Sequence, residues 1–278
     1  MKYFVLGVLG LLLVSVAYAA QPKLQASMAV SGELVVGPDG KAMRYTLDHP
    51  EKLPPAVVEL IARTVPNWRF ATVSKDGKPV AARARMSLGV IADPTGDGAF
   101  ALCVGAAEFG SGNDADLPHV VTRRLPTYPH EAIERRVAGE VYLLLELDAG
   151  GRVAKAAVER VDLRATGSEQ DMALMREVFA KSSLQAARHW TYALPQTPGS
   201  AKAPMLVRVP VDYSLNGEGV PREPRYGQWR SYVPGPVQPV DWPELQPEAQ
   251  TGFEALAGEG IYPLDQPLKL LDPAGGKR

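Results

Sequence analysis

The sequence predicts an α+β fold of two β-β-α-β units with antiparallel sheets, followed by a Pro-rich irregular C-terminal tail. Three observations predict it. Apolar residues alternate at period two on either side of Gly-containing turns, an apolar face at helical spacing follows each such hairpin, and the same order of elements occurs twice.

The second unit is the clearer copy. Val141, Leu143, Leu145 and Leu147 share one face of a strand, Asp148-Ala149-Gly150-Gly151 is a turn signal, and Arg152 to Val158 resumes as the partner strand. Ser168 can cap a helix on which Met172, Met175, Phe179, Ser182, Ala186 and Trp190 recur at spacings of three and four. After a loop from Pro195 to Pro204, Met205, Val207, Val209, Val211 and Tyr213 alternate with Leu206, Arg208, Pro210 and Asp212. That alternation makes a third strand with one apolar face.

The first unit repeats this order. A strand over Val30 to Val36 meets the turn Gly37-Pro38-Asp39-Gly40, a second strand lies around Met43 to Leu47, and a helix follows from Pro54 to Thr64. Trp68-Arg69-Phe70 matches Trp190-Thr191-Tyr192, and Pro79 to Met86 matches Pro204 to Val211 with Arg83 and Arg208 in register. Here the third strand continues through Leu88 and Val90 to the turn Asp93 to Gly98, and Phe100, Leu102 and Val104 alternate as an added strand that would cover the sheet edge. The second unit has no such addition, so its third strand is expected to be an open edge.

These readings divide the chain into a signal peptide at 1–20, a first unit at 21–108, a linker at 109–122, a second unit at 123–215 and a tail at 216–278. Met1-Lys2, an uncharged stretch and Ala17-Tyr18-Ala19 follow the order of a cleavable export signal, which implies a periplasmic protein. The alternative is an inner-membrane anchor over residues 3–20, near the lower limit of roughly 17 residues for a spanning helix. The tail holds ten prolines between Pro221 and Pro273, but also Tyr226, Trp229, Tyr232, Trp242, Phe253 and Tyr262. Those aromatics favour packing against the units over a free linker.

Thirty basic residues stand against 31 acidic ones, so no charge excess calls for nucleic acid. Cys103 is the single cysteine, which excludes an internal disulfide, and its apolar neighbours suggest a buried small hydrophobe. His49, His119, His130 and His189 make no metal-ligand spacing, and no nucleophile elbow or phosphate-binding glycine loop occurs. Asp114 and Asp116 could open a Ca²⁺ loop only with His119 where the turn needs Gly, so that stretch reads as linker. No enzyme, cofactor or small-molecule substrate is indicated.

Leu125-Pro126-Thr127-Tyr128-Pro129, Gly139-Glu140-Val141, the Gly150-Gly151 turn, His189-Trp190 and Val209-Pro210-Val211 occur in an order that resembles the C-terminal domain of the TonB energy-transducer family. The resemblance runs from about Arg123 to Leu215; the first unit looks like a diverged copy without the Tyr-Pro segment, and the stretch from Glu169 to Val178 is longer than the family pattern. The resemblance implies a domain that takes up a receptor peptide, the TonB box, as an added strand. Carried over by position, the binding residues would be Met205, Val207, Arg208, Val209, Val211 and Tyr213, with Tyr128 and Pro129, and the partner a peptide segment of a membrane or periplasmic protein. An open strand edge offers the backbone N–H and C=O groups such a contact needs. Two other readings stay open: an envelope protein of purely structural role with both sheet edges covered, and an anchored energy transducer. Against the latter, no Pro-Glu/Pro-Lys spacer follows the first twenty residues.

Overall fold

The computed structural model describes residues 23–111, 117–195, 204–215, 226–245, 260–265 and 268–271. The expected signal peptide, the Asp114–Asp116 stretch and most of the Pro195–Pro204 loop lie outside them. In chain order the elements are β1 (Gln25–Val36), β2 (Ala42–Leu47), α1 (Pro55–Thr64), β3 (Ser74–Lys75), β4 (Lys78–Pro79), β5 (Ala82–Pro94), β6 (Phe100–Ser111), β7 (His119–Thr122), α2 (His130–Glu134), β8 (Gly139–Leu147), β9 (Val153–Leu163), α3 (Glu169–Ala187), β10 (Thr191–Ala193), β11 (Met205–Tyr213), β12 (Arg230–Tyr232) and β13 (Tyr262–Pro263). Among the described residues no helix is long and apolar enough to cross a membrane.

Two antiparallel sheets dominate. In one, β1 lies between β5 and, on its other side, β2 and β12, with β6 outside β5; in the other the order is β13-β11-β8-β9. Each sheet thus places the first strand of its hairpin at the centre, beside the strand that returns after the helix. Each buries one face under that helix. Val57 and Ile61 of α1 pack with Leu34, Met86 and Leu88, and Met172, Met175 and Phe179 of α3 pack with Leu143, Leu145 and Val209.

The two hairpins turn alike. Gly40 and Gly151 have φ of 76° and 73°, and their carbonyls accept from Phe70 N and Tyr192 N at 2.8 and 2.7 Å. The aromatic that follows each helix is therefore pinned to the hairpin turn at the same place. This equivalence places Val36 with Leu147, and those pair with Ala82 and Met205. Arg85, not Arg83, then matches Arg208. Matching the prolines slides the strand by two residues, a slip that leaves side-chain faces unchanged and so escapes any reading by alternation.

Other expectations shift for physical reasons. The buried face of α3 is Met172, Met175, Phe179, Ser183 and Ala187, not Ser182 and Ala186, because steps of four from Phe179 hold that face; Ser182 instead donates to the Thr127 carbonyl. Trp190 lies just past the helix end. β6 continues through Phe109, which is buried against Trp68 and Phe70, so the first sheet reaches into the expected linker, as does β7. β6 is itself the outermost strand on its side, which leaves Cys103 half-buried rather than buried.

The sheets also face each other, with their helices outside. Ala106 of β6 packs on Tyr142 of β8, and Arg208 of β11 reaches Glu108 of β6. β8 is consequently buried on both faces. The tail runs over this assembly: β12 pairs with the start of β1, Val233 bridges Leu163, Val240 and Leu245 cover Leu144, and Lys269 to Leu271 pair with Arg69 to Ala71.

A Cβ on Gly151 would stand 1.8 Å from the Tyr192 carbonyl oxygen, whereas Gly77, with φ of 74°, has open space around it. Gly151→Ala is expected to cost about 2–5 kcal/mol, left-handed strain and overpacking together. Gly77→Ala should cost only the strain, about 1–2 kcal/mol. Urea unfolding of the two variants compares them.

Candidate functional site

β11 carries the sites expected for peptide uptake, and its register fixes what each residue does. In an antiparallel ladder the N–H and C=O of one residue point to the same side, and successive residues alternate. Leu264 N donates to Leu206 O at 3.0 Å, so Leu206, Arg208, Pro210 and Asp212 present their backbone to the outer edge. Met205, Val207, Val209, Val211 and Tyr213 present theirs to β8 and their buried side chains to the α3 core. These five expected site residues therefore supply a floor; the outer ladder belongs to their neighbours.

That outer edge is partly occupied. β13 pairs with it at Val207 opposite Pro263 and Arg208 opposite Tyr262. Pro210 has no N–H, and its carbonyl accepts from Arg123 Nη2 at 3.0 Å. Arg123 is held over the Trp190 ring, 5.1 Å from its centroid, and Trp190 Nε1 donates to the Arg124 carbonyl at 2.8 Å. The open edge expected from sequence is thus taken by the tail at one end and closed by Pro210 and Arg123 toward the other.

Tyr128 and Pro129 sit elsewhere on the unit. The Tyr128 ring meets Phe179 and Tyr213 edge-on at 5.7 and 5.4 Å, and its hydroxyl donates to the Val137 carbonyl at 2.7 Å. Burial pushes that phenol up to about 12. The structure brings Tyr128 against Tyr213 and places Pro129 at the N-terminal end of α2.

Arg208 points away from solvent, into the gap between the sheets. Its Nε and Nη2 donate to both oxygens of Glu159 at 2.5 and 2.8 Å, and Nη1 lies 3.7 Å from Glu108 of the first sheet. Burial pushes the Glu108 carboxyl up to about 7, against the pull of Arg208 and with the push of Glu159. A second charged group lies nearby. Arg164 and Arg230 both hold Asp212, the latter at 2.9 Å, Arg164 stands 3.9 Å from Glu140, and Arg160 pairs with Asp162 at 2.8 Å. Burial takes Glu140 up to about 7 despite Arg164 and Arg230. Burial also works to raise Asp212, but Arg164, Arg230 and Ser214 outweigh it and hold that carboxyl below the usual range. A cavity of about 10 Å³, the size of one water, lies among these residues beside Ser27 and Tyr232.

Sequence reasoning missed Glu108, Glu159, Glu140 and Arg164. Their only signal was acidic and basic residues at the non-core positions of apolar strands, a pattern shared with any solvated face. Among the described residues no group of His, Cys, Asp and Glu could hold a metal ion.

No protein-family model matches the chain. Over 91 residues it is 35% identical to Protein TonB from each of two strains of Xanthomonas campestris pv. campestris. Part of the chain is TonB-like. The match covers 33% of this chain and 35% of each relative, so the chain spans about a third of the TonB proteins it matches. The similarity supports a TonB-like C-terminal domain here, and a mostly antiparallel sheet with few helices is compatible with it.

Glu108 and Glu140 have carboxyls raised in the folded state, so the fold binds more protons than the unfolded chain between the ordinary carboxylate range and about 7. Stability from them is present at mildly acidic pH and is lost as pH rises through about 7. Asp212 acts oppositely, its contribution being lost as pH falls through its lowered value. The midpoint of thermal unfolding is expected to drop between about pH 5 and pH 8. Glu108→Gln should unfold at higher temperature than wild type at pH 8 and show a shallower slope, as differential scanning calorimetry would record.

Proposed function

We propose that this chain is an exported, TonB-like envelope protein whose second unit accepts an extended peptide by strand addition on β11, in the service of outer-membrane receptor transport. The similarity to TonB and the ordered Tyr-Pro, Gly-x-Val, Gly-Gly, Trp and Val-Pro-Val elements supply the family context. The observation that carries the reading is the outer edge of β11. In the first sheet the corresponding edge pairs along eleven positions with β6, whereas here, among the described residues, only the two-residue β13 stands on it. Held by so short a partner, the Leu206 and Arg208 backbone is the part of the sheet an incoming strand can take, with β13 leaving as it enters.

In this reading the first unit is a diverged copy of the second, residues 1–20 direct export to the periplasm, and the partner is a peptide segment of a membrane or periplasmic protein. The protein acts by binding and not by catalysis. A second reading, an envelope protein of structural role, is favoured by one specific contact: Arg123 on the Pro210 carbonyl, which completes the closure that β13 begins.

TonB-box peptides titrated into the full chain separate the two, with fluorescence anisotropy as the readout. Strand addition predicts binding that falls at least about ten-fold when alternate peptide amides are N-methylated on the pairing side, a loss of about 1.4 kcal/mol. Absence of binding, or indifference to N-methylation, would leave only the structural role.

A further inference from the structure

The two residues of β13 and their neighbours show what the β11 edge can read. Tyr262 pairs with Arg208, so its side chain falls on the face turned toward the first sheet, where it packs against Ala106 of β6 and Tyr142 of β8. Leu264, opposite Leu206, falls on the same face and packs with Leu144, Val240 and Leu245. Ile261 takes the other face and packs on the α3 core. A strand on this edge therefore lies along the seam between the two sheets.

We infer that the peptide site is composite: the first unit supplies a wall of it, and the site selects an aromatic residue two positions before a Leu-sized apolar one. This rests on the strand-addition reading above. The physical argument is the alternation of a strand. Residues two apart share a face, so the aromatic and the apolar side chain enter adjacent niches while the residue between them turns to α3. The aromatic niche is the composite one. Ala106 is buried, and its small side chain opposite Tyr142 leaves width for one ring between the sheets. The second niche is lined by Leu144, Val240 and Leu245, and the acidic side chain next to it is Glu146, opposite Leu206, so an apolar residue buries its surface there and a carboxylate would meet a like charge. On this account the tail segment Gly260-Ile261-Tyr262-Pro263-Leu264-Asp265 has the pattern of the partner, which is an extended peptide of aromatic-x-apolar sequence.

The test uses the full chain carrying Tyr262→Ala and Leu264→Ala, which empties both niches, and the labelled hexapeptide Gly-Ile-Tyr-Pro-Leu-Asp as probe. Anisotropy should show binding that weakens about ten-fold or more when the peptide tyrosine is replaced by alanine, and at least as much when its leucine becomes aspartate. Hydrogen exchange at the Arg208 amide, which faces outward, should slow when the parent peptide is added. Equal affinity for the three peptides, or no binding of the parent peptide by a variant whose thermal midpoint shows it folded, would overturn the inference. Its failure is distinct from that of the strand-addition reading. TonB-box peptides that bind the wild-type chain with sensitivity to N-methylation, while these three bind alike, would retain strand addition and remove the selectivity.

Discussion

A guanidinium buried between two sheets must find its counter-charge there, and Arg208 is that group. Its fork is filled by Glu159 of its own sheet, and its remaining nitrogen faces Glu108 of the other. The contact joins the first unit to the strand on which the proposed function rests. The close pair is the one with Glu159, and leaving the buried guanidinium without that partner would cost about 3–5 kcal/mol; Glu108, 3.7 Å away, is the group that brings β6 to it. Around it, Arg160, Arg164, Arg208 and Arg230 face Glu108, Glu140, Glu159, Asp162 and Asp212, one more carboxyl than guanidinium. Burial is the main reason Glu108 and Glu140 hold protons near neutrality, and the neighbouring carboxylates add to it.

Because the sheets meet by their backs, neither unit is complete alone. Each has a place beside its third strand and a place beside the aromatic that follows its helix, and the chain fills these four places with different segments. β6 and β13 stand beside β5 and β11; Lys269 to Leu271 and β7 stand beside Phe70 and Tyr192. The tail thus serves both units, and beside β11 it does so, among the described residues, with two paired residues. The filling is unequal: β6 pairs with β5 along eleven positions, β13 with β11 along two.

The sequence was legible wherever one face alone met a core. β11 runs from Met205 to Tyr213 as its alternation implies, and α1, the Ser168 cap and both Gly turns lie where the spacing put them. The buried backs of the sheets were not legible. Arg208 and Glu159 have the alternation of a solvated face, and nothing in their spacing tells that another sheet lies over them. The register between the units was misread by two residues, a shift that side-chain polarity cannot detect. The positions of β12 and β13 were hidden for a different reason: strands of two or three residues carry no period.

The same brevity limits what any partner can gain from the backbone. Of the outward-facing residues, Leu206 and Arg208 have both N–H and C=O to offer, while Pro210 has no donor and its carbonyl is taken by Arg123. A longer peptide therefore finds little more ladder than β13 does, since extension stops at the proline. At a net 0.5–1.5 kcal/mol or so per hydrogen bond, backbone pairing alone would give a weak complex, and the tethered β13 competes at an effective concentration in the millimolar range. What an external strand can add is side-chain burial at about 25 cal/mol per Å², and the apolar surface within reach is the seam between the sheets. Pro210 thus moves the basis of recognition from the peptide backbone to its side chains, and with it the first unit from a bystander to a part of the site.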